Sequence, residues 1–227
     1  MRQTFVDLCR ERSGQHQSIH GLALRMYCDT ILQISKERIM SIRNIRKGVV
    51  AVFAVTGAIL AIPLIAMQFS TEANWTSFDF VVAGTMLLVS GLTAEYLWRL
   101  SGSFEYRAAS LLTVFTGLFM LWVNLAVGII GNEDHPANTL YSLVLIVGIS
   151  GAFAARFRPA GMAVAMTVTA ILLAAIPVVA FFLWRMPLDI AMVRTFVLNS
   201  MLALSLAGSA RMFARAGNAE MRTVSAG

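Results

Sequence analysis

The chain has little of what most activities are built from. It holds two cysteines, Cys9 and Cys28, and three histidines, His16, His20 and His135, and charged residues fill only 13% of its 227 positions. A water-soluble domain would carry about 25% charge, so the deficit argues against a soluble globule. Neither cysteine belongs to a Cys-x-x-Cys pair, and both precede the first long apolar run, on the side read below as cytoplasmic, where thiols stay reduced. No disulfide framework is expected, and Cys9, Cys28, His16 and His20 lack the spacing of a zinc site. The segment before residue 49 is charged throughout, which argues against a signal peptide. A net charge of +6 raises the question of nucleic acid, but half of the 18 basic residues precede the first apolar run and most of the others cap apolar runs on one side. Anionic lipid headgroups attract basic residues placed in that way, so lipid rather than nucleic acid is the expected partner.

What the chain does have is apolar sequence, 58% of its residues at a mean hydropathy of +0.72. A hydrocarbon layer about 30 Å thick needs roughly 20 helical residues at about 1.5 Å each. Six runs fit: Val49 to Phe69, Asp79 to Trp98, Ala108 to Ile130, Thr139 to Ala155, Ala160 to Trp184 and Leu188 to Met212. In the first, eleven Val, Ile, Leu and Phe residues favour insertion by about 3 to 7 kcal/mol, enough to outweigh Thr56, Gly57 and Gln68. The expected fold is an all-α bundle of six spans (49–212), preceded by a cytoplasmic amphipathic segment (1–48) and followed by a short cytoplasmic tail (213–227).

Basic residues set the orientation. Nine Lys and Arg precede span one, two (Arg99, Arg107) follow span two, two (Arg156, Arg158) follow span four and three (Arg211, Arg215, Arg222) lie at the end of the chain, whereas the connections at 70–78 and 131–138 have none and the one after span five has Arg185 alone. This asymmetry predicts that both ends of the chain are cytoplasmic. Tyr96, Trp98, Tyr141 and Trp184 sit near span ends, as an aromatic belt at the interface would.

Before the spans, Ile19, Leu22, Ala23, Met26, Tyr27, Ile31 and Ile34 recur at helical spacing opposite Arg25, Asp29 and Lys36. This predicts an amphipathic helix. It can lie in the interface and steady the first span, or its apolar stripe can dock a protein partner through residues 1–40. The Phe5 to Lys47 pattern resembles juxtamembrane helices ahead of the spans in some bacterial permease-like proteins.

Ionisable residues inside spans are costly and mark function by default, and few are present. Glu95 lies one turn from Arg99, an i,i+4 pair. Arg194 follows Asp189 by five residues and could reach Asp189 or Asp79. Asn124 and Asn199 lie deeper, where hydrogen bonding between helices accounts for uncharged amides. No midplane carboxylate of the kind a proton-coupled pump uses is in view. The connection Gly131-Asn132-Glu133-Asp134-His135-Pro136-Ala137-Asn138 is the most polar between spans. Glu133, Asp134 and His135 could hold a hard cation, and the competing reading is a turn, with Gly ending one helix and Pro starting the next. Pro63 and Pro177 should each kink a helix; they either flank an outward cavity or serve packing alone. The 13 methionines read as adaptable filler.

Gly148-Ile149-Ser150-Gly151 resembles the Gly-x-Ser-Gly motif of rhomboid intramembrane proteases, whose serine is activated by a histidine on span six. No histidine falls in span six here, so Ser150 lacks a base, and the small residues of this stretch read as close helix packing. The stretches Leu121-Trp122-Val123-Asn124-Leu125-Ala126-Val127-Gly128-Ile129-Ile130-Gly131-Asn132-Glu133-Asp134-His135-Pro136-Ala137-Asn138 and Ala154-Ala155-Arg156-Phe157-Arg158-Pro159-Ala160-Gly161-Met162-Ala163 are similar to small bacterial inner-membrane proteins of uncharacterised function. That resemblance implies a bacterial plasma-membrane location and a helical bundle, and carries no activity. Without a nucleophile and base or a cofactor motif, the expectation is a non-enzymatic accessory or regulatory membrane protein; the alternative is a small transporter or channel with an outward cavity near Asn124, Asn199 and Thr167.

Overall fold

A computed structural model describes residues 45–69, 74–132, 134–185, 187 and 189–225. The chain divides into two units, Met1–Ala51 and Val52–Gly227. Of the first, only the opening turns of a helix are described, and the amphipathic stretch expected at Ile19 to Ile34 lies outside the described residues.

The described residues form an all-α membrane bundle: α1 (Ile45–Phe69), α2 (Ser77–Leu100), α3 (Phe104–Ala126), a 3-10 turn (Pro136–Asn138), α4 (Thr139–Ala154), α5 (Pro159–Trp184) and α6 (Ile190–Ser225). Among the described residues six helices are long and apolar enough to cross a membrane, as the hydropathy runs predict. Their starts are fixed by side chains that take up the unpaired amides of a first turn. Thr76 and Asp79 form a reciprocal capping box on α2, with the Thr76 amide donating to Asp79 Oδ2 at 2.7 Å. Ser103 Oγ accepts the Tyr106 amide at 3.1 Å on α3, and Asp189 Oδ1 accepts the Met192 amide at 2.9 Å on α6. Pro159, with no amide to satisfy, opens α5.

Of the six spans, α5 is the most enclosed. It packs along α6 and α4, α6 packs on α3, and α2 lies outside against α3. The seam is regular: the buried residues of α6 include Met192, Thr195, Asn199, Leu202, Leu206, Ser209, Phe213 and Ala216, an unbroken alternation of three and four. Met162, Met166, Thr169, Leu173, Ile176 and Ala180 repeat it on α5. Such a 3.5-residue period keeps one narrow face on its neighbour and gives the left-handed, shallow crossing common to membrane bundles. Small residues set the closest approaches. A Cβ on Gly148 would meet Thr169 at 3.3 Å and one on Gly151 would meet Ala165 Cβ at 3.0 Å, so the two glycines of the Gly-x-Ser-Gly stretch lie on the α4–α5 packing surface. The α1 residues Leu60 and Val52 likewise sit over Gly84 and Gly91 of α2.

Two boundaries differ from the hydropathy reading. Span three was expected to reach Ile130, but α3 stops at Ala126 and the chain turns at Gly128, with φ +68°. Ile129 and Ile130 are buried in the turn itself, and apolarity alone does not distinguish a buried turn from another turn of helix. Beyond Met212, where a tail was expected, α6 continues to Ser225, with Phe213 and Ala216 packed in the core.

The close approaches make a test. Gly161→Ala would bring a Cβ to 2.7 Å from Ala155 Cβ and 3.1 Å from its Cα, so the α4–α5 connection must shift, at a cost of about 1–3 kcal/mol. Gly57→Ala meets nothing within 4 Å. In detergent, the first variant should unfold at a clearly lower temperature than the parent and the second at the same temperature or slightly above it.

Candidate functional site

The α3–α4 connection is organised by a residue that the sequence did not single out. Asn138, at the end of the 3-10 turn, is buried and makes four hydrogen bonds to backbone. Its Oδ1 accepts from the amides of Ile129 at 3.1 Å and Ile130 at 3.0 Å. Its Nδ2 donates to the carbonyls of Ile130 at 3.1 Å and Asn132 at 2.6 Å. One amide side chain thus supplies both donors and acceptors to a stretch that has left α3 and has no helical partners. Gly128 is required beside it: a Cβ there would lie 2.5 Å from the Asn132 carbonyl oxygen and 2.8 Å from Asn138 Nδ2. From α6, the Thr195 hydroxyl donates to the Ile129 carbonyl at 3.0 Å, tying the connection to the seam.

Next to this clamp lies a cleft of about 260 Å³ lined by Asn124, Leu125, Asp134, His135, Pro136, Asn138, Thr139 and Ser142. The structure therefore brings Asn124 together with Asp134 and His135, whereas Glu133 lies outside the described residues. His135 Nδ1 accepts the Ala137 amide at 3.2 Å, and its ring meets Trp184 edge-on with centroids 6.0 Å apart. The imidazole is thus held as part of the turn, with Nε2 as its other ring nitrogen. Asn124 Oδ1 is buried with no hydrogen-bond partner among the described residues, an orphan costing about 1–3 kcal/mol. The Asp134 carboxylate lies on the same cleft wall. Among the described residues, no three of His, Cys, Asp and Glu are grouped as metal ligands.

The other sequence candidates fall elsewhere. Asn199 is 1% exposed on the α6 seam, and its Nδ2 donates to Tyr141 Oη at 2.8 Å and to the Thr195 carbonyl at 2.9 Å. Tyr141 is accordingly a core residue and not an interfacial anchor, a correction to the aromatic-belt reading. Glu95 pairs with Arg99 one turn on, as its spacing predicts. Arg194 is exposed on α6 and pairs with neither expected acid: Asp79 closes its capping box and Asp189 caps α6. Ser150 is exposed and donates to the Ile146 carbonyl of its own helix at 2.6 Å. Thr167 is exposed and bonds to the Ala163 carbonyl at 2.8 Å, outside any cavity. α5 runs through Pro177, which is fully buried, and neither Pro63 nor Pro177 lines the cleft.

A second cleft, of about 530 Å³, lies at the other ends of these helices, lined by residues that include Ser101, Ser103, Tyr106, Arg156, Phe157, Arg158 and Glu220. In the sequence its arginines stand out only as orientation signals. The chain matches no protein-family model, no curated protein and no solved structure.

Asn138→Ala removes both acceptor and donor functions from four backbone groups, two of them buried amides. A loss of about 2–5 kcal/mol is expected, with faster hydrogen exchange at the Ile129 and Ile130 amides. Tyr141→Phe leaves Asn199 its bond to Thr195 and should cost about 1 kcal/mol, without that change in exchange.

Proposed function

We propose that this chain is a multi-pass protein of a bacterial inner membrane, with both ends of the chain in the cytoplasm, that acts without catalysis as an accessory or regulatory subunit. The observation that carries this reading is the closed seam between the two clefts. Met120, Val144, Met166, Leu173, Leu202 and Leu206 are all buried there. Two polar contacts there run between helices, Asn199 Nδ2 donating to Tyr141 Oη and Thr113 Oγ1 donating to Ser209 Oγ at 3.0 Å, while Asn199 Oδ1 has no partner among the described residues. A transporter reading draws support from the cleft at Asn124, but Asn199 and Thr167 are not on that cleft's walls. An interior of this kind favours a scaffold over a conduit.

Orientation follows from charge. Arg99, Arg107, Arg156 and Arg158 lie at helix ends and Arg211 and Arg215 in the second half of α6, whereas on the opposite side the 131–138 connection has no basic residue and the α5–α6 connection has Arg185 alone. Basic residues are retained on the cytoplasmic side. The partner surface is the segment 1–40, whose apolar stripe is read from sequence, and anionic headgroups attend the basic ends.

Reporter fusions after Asn132 and at the C-terminus test the topology: the first should report the outside and the second the cytoplasm, and the reverse pattern would overturn the orientation. Purification from native membranes tests the role. A stoichiometric membrane or cytoplasmic protein should accompany the full chain and be lost when residues 1–40 are deleted. Solute flux through proteoliposomes that is abolished by Asn124→Leu would instead establish transport.

A further inference from the structure

The α4–α5 connection reverses the chain in four residues, Ala155 to Arg158, and two of them are in a conformation that side chains rarely adopt. Arg156 has φ +50° and Phe157 φ +56°, and neither is glycine, so the turn is strained by about 1–3 kcal/mol per residue. It is held by contacts from outside. The Tyr106 hydroxyl, from the first turn of α3, donates to the Phe157 carbonyl at 2.8 Å. The Phe157 ring packs edge-on against Tyr96 and Phe153, with centroids 5.8 and 5.2 Å away, and the Phe157 amide returns to the Ala152 carbonyl at 3.2 Å.

The result is two arginines, on either side of the braced Phe157, on the wall of the 530 Å³ cleft. Among the described residues, neither Arg156 nor Arg158 makes an ion pair. Their neighbour Arg107 is committed differently: its Nε donates to the carbonyls of Trp98 at 3.2 Å and Ser101 at 2.9 Å, and its guanidinium lies 5.0 Å from the centre of the Trp98 ring. Two hydroxyls complete the polar wall. Ser101 Oγ accepts the Ser103 amide and Ser103 Oγ accepts the Tyr106 amide, which leaves each hydroxyl hydrogen to be donated. Glu220 lies on the same wall and is engaged by a neighbour. The rest is apolar, from Leu100, Pro159, Ala216 and Ala219.

We propose that this cleft binds the phosphodiester of an anionic lipid headgroup, with Arg156 and Arg158 pairing to its non-bridging oxygens, Ser101 and Ser103 donating to them, and the apolar wall facing the glycerol and upper acyl chains. Guanidinium groups suit phosphate because their planar donors match its oxygens in pairs. The cleft lies where the helices end, at the depth of headgroups in any bundle whose helices cross a bilayer, so the site holds for either orientation of the chain. A free phosphate would use the same arginines and hydroxyls and leave the apolar wall uncovered.

Native mass spectrometry of the full-length protein in detergent tests the site with short-chain phosphatidylglycerol, phosphatidylcholine and inorganic phosphate as separate probes. Phosphatidylglycerol should bind in preference to phosphatidylcholine, and Arg156→Gln with Arg158→Gln should weaken it about tenfold, as loss of a charge-assisted pair implies. The equal charge change Arg211→Gln with Arg215→Gln, on residues outside the cleft, should leave the preference intact. Tyr106→Phe keeps both arginines but frees the Phe157 carbonyl, and should weaken phosphatidylglycerol by a smaller factor. Equal binding of the two lipids, equal loss in both double variants, or displacement of phosphatidylglycerol by millimolar inorganic phosphate would each overturn the lipid site.

Discussion

A polar group carried into hydrocarbon has no water to fall back on and must find its partner within the protein. That constraint decides how this chain uses its few polar residues. The simplest answer is local: Thr85, Thr93, Ser110, Thr116, Ser150, Thr167, Thr169 and Ser205 each return a hydroxyl to the carbonyl four residues earlier in the same helix. These residues can face lipid or core without cost to packing and specify nothing about neighbours. A smaller set reaches across: Thr113 to Ser209, Asn199 to Tyr141, Thr195 to Ile129 and Tyr106 to Phe157. In a medium that gives apolar helices no reason to prefer one register over another, these four bonds say which faces meet. Asn199 occupies one position of the regular α6 seam, and a single buried amide at such a position fixes register in coiled coils.

The two ends of α4 solve the same problem of reversing a helix in opposite ways. Before α4, glycines at 128 and 131 accept positive φ freely, and Asn138 then supplies the bonds that the turn lacks. After α4, the positive φ falls on Arg156 and Phe157, and the turn needs a brace from α3. The first arrangement is made mostly within the connection, with one tie from Thr195 of α6, and its cleft is the smaller. The second stores strain, and what the strain accomplishes is to place two charged side chains on one wall.

Much of the bundle was legible because insertion depends on summed hydropathy over about 20 residues, a property that the sequence displays directly. The Glu95–Arg99 pair is local, so it too could be read, whereas the caps at Thr76, Ser103 and Asp189 came only with the structure. The clamp at Asn138 was not legible. An Asn after Pro-Ala is common in turns, and only the folded path of Ile129 and Ile130 shows that its amide faces four backbone groups. Tyr141 was misread for a related reason. A tyrosine near a span end belongs at an interface unless another helix offers its hydroxyl a partner, and Asn199 lies 58 positions further along. The heptad on α6 was present in the sequence, but its polar members Thr195, Asn199 and Ser209 conceal it from a search for apolar spacing.

The length of α6 ties the bundle to the basic cleft. Its apolar segment Ile190–Arg222 is 33 residues long, about 50 Å at 1.5 Å per residue. To fit within a hydrocarbon layer of about 30 Å it would have to tilt by about 53°, beyond the roughly 0–40° that spanning helices adopt. Part of it therefore projects. The 21 residues from Ile190 to Ala210 carry one charge, Arg194, whereas Arg211, Arg215, Glu220 and Arg222 follow within 12. The first stretch is about 31 Å long and matches the layer, so the helix leaves hydrocarbon close to Arg211. What projects is not loose: Phe213 is fully buried with its ring edge-on to Tyr106, 5.2 Å between centroids, and Ala216 is buried beside it. Tyr106 is the same residue that braces the Arg156–Phe157 turn, so one side chain joins the emerging part of α6, the start of α3 and the strained connection. The projecting part of α6 supplies Ala216, Ala219 and Glu220 to the cleft between them.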